Sequence, residues 1–334
     1  MYDRTILFIV LVTMILGCNE TTTIRGKAGF VVCHEGTFES YRYPILALGI
    51  SRGGSVVAAG TVGGIVKIWD VESKRPSATF LVGNGNVTDL AYSSDDKSIA
   101  FVTNQNDLQV RSILGDELWR RKGSNPFGYV TFQNGDLLTM TDVADLAIEQ
   151  WDMKASNSLE LFRPKTTEYQ PHRCGTFATS PDGCFSAIGL YGGAFIVDHS
   201  HLEANWISLD GTLTMYAGFP NDSSFVVVAS AVGKVRCFSL PELEPKWLLK
   251  LPGCREFALN GEGTILMAAA GGQSGVVRLI AIPGGDELAR WKPHHTRITA
   301  VAFAPSAPLC ATASDDGEIK LWRLGSAKGT GPYK

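Results

Sequence analysis

Two series of landmarks recur along the chain in the same phase, and this repetition restricts the fold more than any other feature. Large aromatics stand at Phe38, Phe80, Trp119, Phe162, Trp206, Trp247 and Trp291, 39 to 44 residues apart. A second series, Ile45, Val87, Phe127, Cys174, Leu213, Cys254 and Ile298, opens short apolar stretches. About five residues after each comes a turn-forming cluster such as Ser93-Ser94-Asp95-Asp96, Ser180-Pro181-Asp182-Gly183 or Asn260-Gly261-Glu262-Gly263. Short apolar runs bounded by Gly, Pro, Asn, Asp and Ser read as strands. A period of this length, repeated seven times, reads as an array of equivalent units rather than a chain of independent domains. With 36 glycines and only 19% charged residues, the composition suits many short strands joined by tight turns.

The last unit, residues 294–324, shows the pattern most fully. Ile298, Ala300 and Ala302, then Leu309, Ala311 and Ala313, keep a period of two, and Asp315-Asp316-Gly317 breaks the chain before a strand ending at Trp322. This stretch resembles the blade of the WD-repeat β-propeller family. The resemblance implies that His294, Thr312, Asp316 and Trp322 form a side-chain hydrogen-bond network within the blade, with His295 competing for the first position. The third unit keeps Thr141, Asp145 and Trp151 without a preceding histidine. The first keeps Trp69-Asp70 but has Gly63 in place of the network aspartate, and Ser112, Val197, Phe238 and Ile280 stand where tryptophan would stand in the others. The expected architecture is all-β: a single seven-bladed β-propeller over residues 33–324. Strand material runs out at Leu324, so the segment around residues 33–41 is expected to supply the outer strand of the last blade, removing an open sheet edge.

The first 17 residues have a different character. Residues 5–16 are nearly all apolar yet shorter than the roughly 20 needed to span a bilayer, and they follow a start containing Arg4. This is the form of a secretory signal. Ile15-Leu16-Gly17-Cys18 resembles the bacterial lipoprotein signal, which implies lipid attachment at Cys18, a tether over residues 18–32 and a place in the bacterial cell envelope. Asn19 favours the outer membrane by the same resemblance, and a plain cleaved signal with secretion is the alternative. Residues 325–334 read as a flexible tail.

Charge and motifs limit the chemistry. A net charge of -3 and a pI near 6.1 give no general attraction to phosphate backbones, so nucleic acid is not an expected partner. Neither a phosphate-cradling loop nor a nucleophile elbow occurs. His199 and His201 beside Asp198 could present two ligands, but a zinc site needs further convergent groups, so no metal, cofactor or catalytic residue is assigned. The six cysteines after Cys18 are placed on separate strands, which argues against disulfides among them. The expected function is a non-enzymatic, membrane-tethered scaffold that presents loops around the channel mouth to another protein. The alternative is an enzyme or a small-ligand or glycan binder using the same mouth. The loop over residues 163–173 is the longest there, and extra loop length on a rigid frame is where binding tends to sit. Arg163, Lys165, His172 and Arg173, joined by Arg297, are expected to form a basic patch for an acidic partner segment or an anionic glycan. The lipid tether is expected to leave from the opposite face.

Overall fold

Small and β-branched residues fill the second strand of the first and last repeats because these strands are covered on both faces. VVAAGT and LCATAS are buried at every position, and such runs pack as continuous apolar layers. The computed structural model of the chain describes residues 23–326 apart from 40–42, 84, 124–126, 134–135, 142–146, 156 and 164–173. Among the described residues no helix is long and apolar enough to cross a membrane.

The strands follow in order. β1 (Thr23–Arg25) and β2 (Phe30–Glu39) come first. β3 (Ile45–Ile50), β4 (Val56–Thr61), β5 (Ile65–Asp70) and β6 (Pro76–Leu81) form one four-stranded antiparallel sheet. β7 (Val87–Tyr92), β8 (Ser98–Thr103), β9 (Asp107–Ser112) and β10 (Glu117–Lys122) form the next, and β11 (Phe127–Gln133), β12 (Asp136–Thr141), β13 (Ile148–Asp152) and β14 (Asn157–Phe162) a third. A six-stranded sheet follows, made of β15 (Thr176–Thr179), β16 (Phe185–Asp198), β17 (Glu203–Gly218), β18 (Phe225–Ser230), β19 (Lys234–Ser239) and β20 (Pro245–Lys250). Then come β21 (Cys254–Leu259), β22 (Ile265–Ala270), β23 (Val277–Ala281) and β24 (Glu287–Trp291). The final sheet joins β25 (Ile298–Phe303), β26 (Leu309–Ser314) and β27 (Glu318–Ser326) to β2 and β1.

The sheets stand side by side in a ring. The innermost strand of each touches that of the next, and β25 returns to β3. Seven clusters of buried apolar side chains fill the spaces between neighbouring groups of strands. The aromatics of the first landmark series belong to these spaces. Phe38 meets Trp69 at 5.8 Å between ring centroids, Trp119 meets Trp151 at 5.6 Å, and Trp291 meets Trp322 at 5.4 Å. Each pair joins an outer strand to the third strand of the following unit. Burying side chains of this size contributes about 1.5–3 kcal/mol each, so every sheet depends on its neighbours.

The N-terminal strand completes the last sheet. β2 pairs antiparallel with β27 from Phe30 opposite Ser326 to Glu39 opposite Glu318, and it buries Phe30 and Val32 on one side and Phe38 on the other. Strand material starts earlier than residue 33. β1 pairs with β2, placing Thr23 opposite Cys33 and Arg25 opposite Val31, so residues 23–25 and 30–32, expected as tether, are strands of the sheet. The turn between β1 and β2 presses against β24, where a Cβ on Gly26 would lie 2.1 Å from the Leu288 carbonyl oxygen. β1 runs antiparallel to β2, with Thr23 nearer than Arg25 to the Asp316 end of the sheet, and the expected exit of the tether lies outside the described residues.

One boundary differs from the repeat pattern. The outer strand holding Trp206 continues without a break into the inner strand opened by Leu213, as the single strand β17. Its first part pairs with β16 and its last part with β18. The two backbones approach closely at Gly193, where a Cβ would sit 2.0 Å from the Ile207 carbonyl oxygen. Cysteine usage differs too. Cys33 is disulfide-bonded, whereas Cys174, Cys184, Cys237, Cys254 and Cys310 are free. Those five stand on or beside separate strands, whereas Cys33 lies in the N-terminal strand pair, which corrects the expectation that no disulfide forms.

Candidate functional site

The Asp315-Asp316-Gly317 turn links β26 to β27, with Gly317 at φ 81° where a side chain would be strained. The Asp316 carboxylate accepts bonds from the Ser314 hydroxyl, the Glu318 backbone N–H at 3.0 Å and the Thr296 hydroxyl at 3.0 Å. Burial pushes its carboxyl up, but these bonds prevail and hold it below its usual range. Beneath the turn, His294 Nε2 lies 2.8 Å from Thr312 Oγ1 and 3.2 Å from the Thr312 carbonyl oxygen. The Trp322 indole N–H donates to the same Oγ1 at 3.2 Å. Thr312 Oγ1 thus accepts from Trp322 and shares its second bond with His294 Nε2.

Histidine, threonine and tryptophan are therefore joined, while Asp316 bonds Ser314 and Thr296 and leaves His294 Nδ1 without a hydrogen bond. That nitrogen faces Glu318 Oε2 at 3.6 Å. His294, Asp316 and Glu318 offer ligand atoms within 4.8 Å of one another, but the cluster holds its own cation. Lys320 Nζ is 3.1 Å from Glu318 and donates to the Pro293 carbonyl at 2.7 Å. Burial, and then the Lys320 charge, lower the His294 pKa.

In the third unit the Trp151 indole N–H donates to Thr139 Oγ1 at 2.8 Å. Register explains why Thr139, and not Thr141, holds this place. Trp151 pairs with Leu137 and Trp322 with Cys310, and the accepting threonine stands two residues beyond each. Thr141 ends β12 opposite Phe127. Asp145 lies outside the described residues, as do Cys18, Lys165, His172 and Arg173.

The two described arginines of the expected basic patch are both held by carboxylates. Arg163 meets Glu160 at 2.6 Å, and Arg297 meets Asp315 at 3.1 Å through two nitrogens. Each thus stands beside an acid, and the other three residues of the expected patch lie outside the described residues. His199 and His201 turn to different partners, Ser186 at 2.7 Å and Asp198 at 2.9 Å. Ser200 and Asp198 both contact Nδ1 of His201. The ring therefore cannot take a proton from the serine at one nitrogen while the aspartate orients the other, as a catalytic triad requires.

Two carboxylates on innermost strands escaped the sequence analysis. Burial pushes Asp89 in β7 up to about 7, against bonds from the Val130 and Leu90 N–H groups. Burial likewise raises Glu256 in β21 to about 7, opposed by Arg297 and Arg255. Both stand two residues after the landmark that opens their strands, and an acid at that position is the signal that could have found them.

Comparison with known proteins agrees with this geometry. Residues 285–323 match the family described as WD domain, G-beta repeat. The chain also superposes on the Cps50 (Swd1) β-propeller domain of Myceliophteria thermophila with a TM-score of 0.75, at 15% identity, covering 88% of this chain and all of that one. The chain is a β-propeller that carries a WD repeat. Curated relatives include protein ROOT INITIATION DEFECTIVE 3 of Arabidopsis thaliana, 34% identical over 70 residues, which are 21% of this chain and 16% of that protein. U3 small nucleolar RNA-associated protein 18 of Saccharomyces cerevisiae is 32% identical over 66 residues, 19% of this chain and 11% of its own. The chain thus spans less than a fifth of the length of these curated relatives.

Proposed function

We propose that this chain is a seven-bladed, non-enzymatic scaffold that binds another protein, tethered to a bacterial envelope membrane by lipid on Cys18. The observation that carries the scaffold reading is the closure of the ring by β2 on β27. A closed ring fixes its loops rigidly, and rigid loops bind with little ordering cost. The count of seven rests on the seven interlayer cores and on treating the last part of β17 as the innermost strand of its own blade. WD propellers generally serve as non-catalytic binding platforms, although fold alone does not fix function. Among the described residues, the histidines beside carboxylates and hydroxyls are arranged for structure. Crosslinking in cells followed by mass spectrometry tests the scaffold reading: a specific partner protein crosslinked to blade loops or edges is expected, and the absence of any enriched partner overturns it.

The tether is supported by the apolar run ending at Cys18. Four residues separate Cys18 from Thr23, and the five steps between them reach about 17 Å at full extension. This would hold the outer rim near β1 close to the lipid surface and leave both faces of the ring accessible.

A further inference from the structure

The outer rim where the described chain begins is cationic, on a protein that is acidic overall. In β1, Ile24 packs into the core between neighbouring sheets and Arg25 is exposed. The short 3-10 turn Lys27–Gly29 touches β24, and Gly26 sits so close to the Leu288 carbonyl that Lys27 is held against that strand. β24 adds Arg290, and Lys292 follows its end; Lys27, Arg290 and Lys292 are all exposed. The rise from Leu288 to Lys292 is about 13 Å at about 3.3 Å per residue, so a single strip of rim gathers these side chains.

Among the described residues, Arg25, Lys27 and Lys292 have no carboxylate within ion-pair distance. The acids beside them are already engaged. Glu287 holds Arg278 at 2.7 Å and Arg290 at 2.8 Å, and Glu35 holds Arg323. Asp286, in the turn before β24, is exposed. Arg25, Lys27, Arg278, Arg290 and Lys292 therefore stand against Glu287 and Asp286, a positive surplus on a chain of net charge -3. Protection of a sheet edge accounts for Arg25, because β1 is the outermost strand of its sheet. It does not account for Lys27, which lies in a turn, or for Lys292, which lies beyond the end of β24.

We infer that this strip rests on anionic phospholipid headgroups, so that the ring stands on its rim with both faces clear of the membrane. The inference deepens the lipid-tether reading and rests on it. Acyl chains on Cys18 must lie in the hydrocarbon layer, and the polar layer of one leaflet takes about 5–7 Å of the roughly 17 Å that the five steps to Thr23 can reach. At most about 10 Å then separates Thr23 from the headgroup surface, close to the Debye length of about 8 Å at physiological salt. Cations held at that distance feel the negative potential of an anionic leaflet and are drawn onto it. A tether alone would let the ring turn freely, whereas the strip selects one part of the rim.

The test places the purified full chain with vesicles of phosphatidylcholine, alone or mixed with phosphatidylglycerol, and follows lysine acetylation by mass spectrometry. With phosphatidylglycerol, Lys27 and Lys292 should react more slowly by about threefold or more, and high salt should remove the difference. Lys246 and Lys250, exposed on β20, should react at the same rate on both kinds of vesicle. Arg25→Glu with Lys27→Glu should abolish the slowing at Lys292 at an unchanged melting temperature, while Lys246→Glu with Lys250→Glu should leave it in place. Equal rates at Lys27 and Lys292 on the two kinds of vesicle, or equal slowing at Lys246 and Lys250, would overturn the inference. Crosslinks from Lys27 and Lys292 to a partner protein, with no slowing on phosphatidylglycerol, would make the strip a protein surface and overturn it too. Flotation separates the strip from the tether. A lipid-bearing chain that floats with both kinds of vesicle but shows no slowing sinks the strip alone. A lipid-free chain that floats only with phosphatidylglycerol and shows the slowing sinks the tether alone, and one that floats with neither sinks both.

Discussion

The threonines beneath the two tryptophans show how register, rather than sequence distance, assigns a side chain its work. Thr312 lies ten residues before Trp322 and Thr139 twelve before Trp151, and no count along the chain reveals which threonine is opposite. Thr139→Val should strand the Trp151 indole N–H and cost about 1–3 kcal/mol, and Thr312→Val should cost more because His294 loses the same partner. Urea unfolding of each variant measures this, and a change within error would mean that the bonds contribute nothing. The half-buried carboxylates of the innermost strands predict a pH dependence. Asp89 and Glu256 titrate near 7 in the fold and near 4 when unfolded. Between those values the folded state keeps a proton that the unfolded state has lost, so their stabilising contribution is full below pH 4 and disappears as pH rises through 7. Asp89→Asn and Glu256→Gln should therefore be more stable than the parent above pH 7 by roughly 1–3 kcal/mol each, and nearly equal to it at pH 4. A difference independent of pH would show that the carboxyls are not buried as described. His294 acts in the opposite sense: its lowered pKa means that its contribution is present above the unfolded value near 6.5 and is lost as pH falls.

At the level of elements, the repeat period and turn chemistry in the sequence were enough to place nearly every strand, because each unit reuses one pattern of alternation and breaks. Exceptions arose where a break was missing. The Gly211 region between Trp206 and Leu213 looks like a turn in composition, yet β17 passes through it as a bulge, with Ser208 still paired to β16 and Thr214 already paired to β18. Gly193→Val should disrupt that junction, because even a Cβ meets the Ile207 carbonyl at 2.0 Å. A loss of several kcal/mol, on the scale of overpacked cores, is expected in thermal unfolding, and a neutral result would mean the two strands separate there at little cost. The N-terminal strands were only half legible. Closure by residues 33–39 follows from counting strands, but β1 is three residues long and polar at its start, too short to leave a periodic signal. Starting the chain at Gly26 should preserve cooperative unfolding, whereas starting it at Tyr43 exposes the edge of β27 together with the side chains that pack on Phe30, Val32 and Phe38. The shorter chain is expected to aggregate or lose its sharp transition; a cooperative, monomeric product would show that β2 is dispensable for closure.

For the whole molecule, the ring and the tether put different demands on the N-terminal segment. The ring needs β2 seated against β27, and β1, paired with β2 and touching β24, lies at the outer rim. The tether needs Cys18 to carry lipid through a thioether, and a sulfur so modified has no thiol left for a disulfide, while Cys33 is bonded and the five other described cysteines are free. Mass spectrometry of the full chain decides how Cys18 is used. A lipoprotein is expected to yield an N-terminal peptide bearing acyl chains on Cys18, since one chain alone anchors only weakly, and Cys18→Ser should move the protein from the membrane to the soluble fraction. A chain whose Cys18 peptide is lipid-free and linked to the Cys33 peptide until reduction would show the opposite. The segment would then be a covalent clasp on β2 and the protein would be secreted rather than anchored. In that outcome Cys18→Ser should leave fractionation unchanged and instead lower the resistance of residues 23–39 to proteolysis, because the clasp that constrains this edge in the unfolded chain would be gone.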